Sequence, residues 1–232
     1  MRTSFLAFSG GLDSTTLLAH LLAEGHRVIP VFFNYGSRHN PFEEAAAARV
    51  ASHYEVKGPT VDLRDIFSGL AAWSALMAGS GKDIPTGPGG YQEPGSLAAT
   101  LVPGRNLLMA SILSSRAEAH ALQTGDVTSI ALATHGGDHA LYPDCRPGFV
   151  DALSRTIREG TENRVGLLTP FCGMSKTDIV RRGIELKAPY HLTRSCYQDR
   201  AIACGKCGTC RERLAAFEAA GVPDPVPYEG SR

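Results

Sequence analysis

A chain of 232 residues, 43% hydrophobic and 20% charged, is long enough to close one α/β core and carry a small appendage. Its 23 basic and 23 acidic residues cancel, which excludes the global positive field that a large nucleic-acid substrate would select. No run approaches the roughly 18 apolar residues of a membrane span, and Met1-Arg2 passes straight into a strand without a signal-peptide pattern, so the expectation is a cytoplasmic protein with no membrane partner.

The first apolar run, Ser4-Phe5-Leu6-Ala7-Phe8, reads as a strand. It meets Ser9-Gly10-Gly11-Leu12-Asp13-Ser14, followed by Thr15 and Thr16, and Leu17 to Leu22 then has helical spacing, with Gly25 as the stop after Glu24. Strand, glycine turn and helix together make an anion site. Backbone N–H groups converge, the helix N-terminus adds partial positive charge, and Ser9, Ser14 and Thr15 add hydroxyls. The loop has neither the lysine and spacing of a Walker A nor a G-x-G-x-x-G pattern. It resembles the S-G-G-x-D-S pyrophosphate loop of the ATP-pyrophosphatase superfamily, whose members split ATP between its α and β phosphates.

Arg27 to Phe33 is a continuous apolar run, as in a strand buried on both faces of a parallel sheet. Pro41 opens a helix that continues through the alanine-rich Glu43 to His53, and Val56 to Leu63 forms a weaker third strand. This β-α-β-α-β order predicts a doubly wound, mainly parallel α/β sheet with ligands at the carboxyl ends of its strands. Phe67 to Met77 reads as another helix. From Gly79 to Gly104 glycine and proline dominate, which points to an active-site lid containing Tyr91. Arg105 to Leu122 returns to helix, and Ile130 to Thr134 reads as a buried strand ending in the polar cluster His135-Gly136-Gly137-Asp138-His139. Helices follow at Pro147 to Gly160 and Ser175 to Lys187, with a strand at Val165 to Thr169 between them. The chain divides into an α/β domain (1–190), a cysteine knuckle with a C-terminal helix (191–220), and a proline-rich tail (221–232) that is extended or disordered.

Four of the six cysteines crowd into Cys196, Cys204, Cys207 and Cys210, with glycines in the Cys-Gly-Lys-Cys-Gly-Thr-Cys turns. This spacing lets four thiolates face one point, as tetrahedral zinc requires. An iron–sulfur cluster and redox-active cysteine pairs are the competing readings. A closed set of four ligands favours structural zinc. Cys145 and Cys172 stand apart.

Across nearly the whole chain, in order, these motifs resemble the 7-cyano-7-deazaguanine synthases. The matching stretches are Ser9 to Thr16, Thr100-Leu101-Val102-Pro103-Gly104-Arg105-Asn106, Asp138 to Arg146 with its Tyr-Pro-Asp-Cys-Arg turn, Pro170 to Ile179, and Thr193 to Tyr197 followed by the knuckle. The lid departs from that family's His-Tyr pair with Gly90-Tyr91-Gln92-Glu93. The resemblance implies a Rossmann-like fold and conversion of 7-carboxy-7-deazaguanine and ammonia to the nitrile through two adenylations and an amide. It implies ATP binding by Phe8, Ser9, Gly10, Gly11, Leu12, Asp13, Ser14 and Thr15, with Asp13 orienting Mg²⁺. Asp13, Arg105 and Lys176 are the expected catalytic groups. Arg105, Asn106, Asp138, His139, Asp144, Arg146 and Arg194 are expected to meet the substrate. The partners implied are small molecules, with no direct nucleic acid, in a homodimer. A ligase acting on a protein amine and a tRNA thiolase are the alternative readings.

Overall fold

The computed structural model describes residues 1–86, 99–139 and 141–230. Residues 87–98 of the expected lid, Tyr91 among them, lie outside these residues. The elements run β1 (Arg2–Ala7), α1 (Leu12–Ala23), β2 (Arg27–Asn34), α2 (Asn40–His53), β3 (Thr60–Asp62), α3 (Arg64–Phe67), α4 (Arg105–Thr124), β4 (Val127–Ala131), α5 (Pro147–Gly160), β5 (Val165–Leu168), α6 (Lys176–Glu185) and α7 (Gly208–Ala219).

The five strands form one sheet in the order β3-β2-β1-β4-β5, parallel throughout. Phe5 pairs with Ile29 on one side and Ile130 on the other. Alternation along the strands builds two cores. Phe5, Val31, Phe33 and Ile130 face Leu113 of α4 and Leu153 of α5, while Leu6, Phe8, Val28 and Phe32 face Leu17 and Leu18 of α1, Ile179 of α6 and Phe217 of α7. Strand order reverses between β1 and β4, and the crevice at their carboxyl ends is where such sheets take ligands. Pro30 is tolerated within β2 because pairing with β3 begins only at Phe32.

Two expectations are corrected. Residues 67–77 do not form a helix: α3 ends at Phe67, Trp73 is 69% exposed, and Ala75, Leu76 and Met77 are all buried in succession, which no single helix face permits. Their backbone groups pair with other loops instead, with Arg38 N–H on Leu76 O at 2.8 Å and Ala78 N–H on Gly36 O at 3.0 Å. The fourth strand begins at Val127 and stops at Ala131 rather than spanning 130–134. Its polar start is buried because the hydroxyls are satisfied, Ser129 by Ser4 at 2.8 Å and Thr128 by the Arg164 carbonyl at 2.9 Å. Beyond Leu132, Ala133 and Thr134 turn into the ligand crevice.

Residues 221–230 run through turns and bends and are anchored to α7. Arg213 of α7, 1% exposed, forms a bidentate pair with Asp224 at 2.7 and 2.9 Å, and Tyr228 donates to the same carboxylate. Among the described residues no helix is long and apolar enough to cross a membrane.

Candidate active site

The glycine loop is held in shape by its neighbours. Gly10 has φ +72°, and a Cβ there would fall 2.3 Å from the Ala47 backbone nitrogen, so α2 can approach only a glycine. The Arg194 N–H donates to the Gly10 carbonyl at 3.0 Å. Gly11 caps α1 without a side chain, leaving the first N–H groups of the helix facing the crevice. Ser9 and Ser14 hydroxyls stand 3.2 Å apart, and the Ser9 oxygen accepts from Gly11 N–H. The Leu12 side chain is in the core, so it offers ligand only its backbone, whereas Phe8 forms part of the cavity wall. The Thr15 hydroxyl is buried without a partner among the described residues.

Behind the loop lies a charged centre drawn from four segments. Lys176, the first residue of α6, places Nζ 2.6 Å from Asp13 Oδ2 and 3.5 Å from Glu212 Oε2. Ser175 and Asp178 form a capping box that fixes the start of that helix. His135 is 2% exposed at its side chain, with Nε2 3.4 Å from Asp138 and 3.2 Å from Lys176. Its Nδ1 accepts from Gly137 N–H at 3.1 Å, so the ring proton sits on Nε2 and points toward the carboxylates. Burial, then the Lys176 charge, lowers the His135 pKa and keeps the ring neutral.

The carboxylates diverge. Burial, the largest single influence, would raise the Asp13 pKa, but the Lys176 ammonium and its hydrogen bond, with His135 and Arg213, together outweigh it and the carboxyl stays below its usual range. Asp13 Oδ1 is buried with no partner among the described residues. For Asp138 burial prevails, and its pKa rises to about 6. Burial works against the Lys176 ammonium, yet Asp13 and Glu212 hold its pKa above the ordinary lysine value.

The centre opens onto a cavity of about 220 Å³, walled by Ser9, Gly11, Asp13, Tyr35, Glu43, Arg105, Asn106, Thr134, Asp138, Tyr142 and Cys145 among others. Arg105 stacks over Tyr35 at 5.5 Å and donates to its hydroxyl at 3.3 Å. Asp144 sits behind the wall, where its carboxylate accepts the Asn106 N–H at 3.4 Å and its carbonyl accepts from the Asn106 amide. Burial lifts the Cys145 thiol to about 12, so it is a neutral wall group.

The structure therefore brings Asp13, Lys176, Arg105, Asn106 and Asp138 together and leaves four expected substrate residues, Asp144, His139, Arg146 and Arg194, outside the cavity wall. His139 faces the Cys172 sulfur at 3.8 Å. Arg146 donates to the His139 carbonyl, and Arg194 commits its guanidinium to the carbonyls of Ala201, Gln198 and Arg200. Three members of the site, Tyr35, Glu43 and Glu212, carry no motif of their own, and His135 belongs to the polar strand-end cluster, where no motif gives it a role. Tyr35 follows the carboxyl end of β2 and His135 that of β4, which is a usable signal. Glu212 reaches the site only because α7 packs beside α6, and nothing in the sequence announces it.

The four knuckle cysteines are buried, with sulfurs all within 4.8 Å of one another. Cys204 and Cys210 sulfurs are 4.0 Å apart, too far for a bond. Backbone N–H groups of Gln198 and Cys204 point at the Cys196 sulfur, and those of Lys206 and Cys207 at the Cys204 sulfur. Hydrogen bonds from Cys207 and Cys210 pull the Cys196 thiol far below its usual range. Four converging sulfurs, two of them receiving backbone N–H donors, fit a thiolate-bound metal. His135, Asp138 and Glu212 also converge within 4.8 Å, but there the Lys176 ammonium stands as their cation.

Comparisons with known proteins agree with this geometry. A family model described as Queuosine biosynthesis protein QueC matches residues 3–221. The chain is 41% identical to a 7-cyano-7-deazaguanine synthase of Marinobacter nauticus, over 96% of this chain and 95% of the relative. It is 42% identical to the synthase of that name from Rhizobium leguminosarum, over 99% and 92%, and 39% identical to that of Methanoregula boonei, over 97% and 98%. Among solved structures it is similar, at a TM-score of 0.50 and 15% identity, to a protein described as a predicted subunit of tRNA methyltransferase from Methanocaldococcus jannaschii, covering 97% of this chain and 91% of that one. At that identity the likeness speaks for the fold alone.

Proposed function

Since the chain belongs to the QueC family of queuosine biosynthesis proteins, we propose that it is a 7-cyano-7-deazaguanine synthase, an ATP-dependent enzyme that converts 7-carboxy-7-deazaguanine and ammonia to the nitrile. The observation that carries this reading is the Asp13–Lys176 pair, 2.6 Å apart, standing where the glycine loop opens onto a cavity walled by Arg105 and Asn106.

A carboxylate resists attack by ammonia because oxide is a poor leaving group. Its oxygen instead attacks the α-phosphorus of ATP, and the bond to pyrophosphate breaks. The loop N–H groups and the Ser9 and Ser14 hydroxyls receive the charge that develops on the pyrophosphate. Lys176, fixed at the first turn of α6, faces the same oxygens as a point charge. Arg105 and Asn106 hold the deazaguanine so that its carboxyl group meets the nucleotide. Ammonia then displaces AMP to give the amide, and a proton leaves the nitrogen. The amide oxygen attacks a second ATP in the same way. Loss of this AMP and the two amide protons leaves the nitrile, with Asp138 at the cavity wall the group able to accept a proton.

The four cysteines hold structural zinc in this reading, which fixes the knuckle and the first turn of α7. Asp13 Oδ1, buried with no partner among the described residues, suits Mg²⁺, which when bound would neutralise phosphate charge. Residues 1–190 act as the catalytic unit, 191–220 as the knuckle and its helix, and 221–232 as the tail. The protein works on small molecules, without nucleic acid, as a cytoplasmic homodimer.

The test is mass spectrometry of the products from purified protein, Mg-ATP, ammonium and 7-carboxy-7-deazaguanine. Nitrile with AMP is the expected result. AMP with an unchanged free base would move the acceptor to a protein or RNA, and absence of AMP from metal-loaded protein would overturn the assignment. Metal analysis of the same sample separates zinc from iron.

A further inference from the structure

Glu212 lies on α7 between Cys210, at the heart of the knuckle, and the buried Arg213. Its carboxylate leaves that region and enters the strand-end site. Oε2 is 3.5 Å from Lys176 Nζ, and Oε1 is 3.0 Å from where a Cβ on Gly137 would stand, so the glycine leaves the space that the carboxylate fills. The Lys176 ammonium is thus held from two sides: Asp13 belongs to the pyrophosphate loop and Glu212 to the knuckle helix. A lysine on a flexible four-carbon stem keeps one position only when several acceptors agree on it.

The backbone of Glu212 is fixed as well. Cys207 and Cys210 tie down the start of α7. Arg213 locks the next residue through Asp224, the Thr193 hydroxyl at 2.7 Å and the Tyr190 carbonyl at 3.2 Å. We infer that Glu212 is a positioning residue that aims Lys176 at the transferring phosphate, and that through it the cysteine knuckle sets the geometry of a reaction it never touches. This rests on the assignment of Lys176 to that phosphate.

The test compares metal-loaded parent protein with Glu212→Ala and Glu212→Gln, following AMP release with 7-carboxy-7-deazaguanine, ammonium and Mg-ATP. In Glu212→Ala kcat is expected to fall about tenfold, the scale of a misplaced catalytic group, while KM for ATP moves less than about twofold because the loop that holds the nucleotide is intact. Glu212→Gln recovers part of the loss, since its amide oxygen still accepts from the ammonium. Melting temperature and metal content stay at parent values. Parent-level kcat in Glu212→Ala, or a loss that follows melting temperature and metal content, would overturn the inference. Reductive methylation of Lys176, read by peptide mass spectrometry, gives a second readout that needs no substrate. Faster modification in Glu212→Ala supports the positioning role and an unchanged rate refutes it, even if the parent releases no AMP and the functional reading falls.

Discussion

The loop cavity and the cysteine knuckle both gather charged and nucleophilic side chains at one end of the sheet, but they treat them oppositely. In the knuckle the polar groups are largely saturated. Arg194 is bound to three carbonyls, with only its Nε lacking a partner among the described residues, Arg213 is bound to a carboxylate, two hydroxyls and a carbonyl, and two of the sulfurs accept backbone N–H groups. In the cavity, Asp13 Oδ1 and the Thr134 hydroxyl are buried with no partner among the described residues, and Asp138 is held up at about 6. Unmade bonds at a buried site cost stability, and they persist where a ligand completes them. By that criterion the cavity is where chemistry happens and the knuckle is the frame around it.

The sharpest way to break this division is Lys176→Ala. AMP formation should fall about 10³-fold, roughly 4 kcal/mol of transition-state stabilisation, far more than any loss of folded protein caused by leaving Asp13 without its cation accounts for. Large loss of stability with proportionate activity would assign Lys176 to the frame instead. The converse change is Asp224→Asn in the tail, which leaves the Arg213 guanidinium, 1% exposed, without its anion. Breaking such a buried pair costs about 3 kcal/mol, so denaturant titration should show a large drop in midpoint. Activity per folded molecule should fall by less than the tenfold expected of Glu212→Ala, because Thr193 and Tyr190 still hold Arg213 beside Glu212.

A smaller effect sharpens the electrostatics. Asp138 titrates at about 6 because burial disfavours its anion, so below that pH it loses its capacity to accept the His135 proton. The kcat/KM is expected to fall about tenfold for each pH unit below about 6, and Asp138→Asn should flatten that limb. The stability sign is opposite. A carboxyl raised from 3.8 in the unfolded chain to about 6 in the fold favours folding when protonated, and that contribution is lost as pH rises through this window. Asp138→Asn should therefore melt higher than the parent at pH 8, with the difference vanishing near pH 4. The smallest effect is expected for Cys172→Ala. Its sulfur lies outside the cavity wall beside His139, so nitrile formation should change less than about twofold and stability by less than about 0.5 kcal/mol. A complete loss would favour sulfur transfer.

The same contrast explains what the sequence discloses. The glycine loop and the knuckle are local: their residues lie within a dozen or so positions, and backbone constraints dictate the types, so both are legible. The strand order follows from apolar runs and the β-α-β alternation. The start of β4 was hidden because Thr128 and Ser129 look exposed until their hydroxyls find Arg164 and Ser4 across the sheet. The segment 67–77 has apolar residues at helical intervals, yet three consecutive ones are buried by a loop that pairs with distant backbone. Arg194 sits beside a motif that suggests substrate, and only the fold shows its guanidinium turned to the knuckle. Glu212 is set by helix packing, a long-range property that spacing does not encode.

The most direct test of the cavity as the seat of both adenylations is the ratio of AMP to nitrile in a complete reaction, with the amide followed over time by mass. Two AMP per nitrile, with an amide that forms and is consumed, is the expected outcome. One AMP per product, ending at the amide, would contradict it.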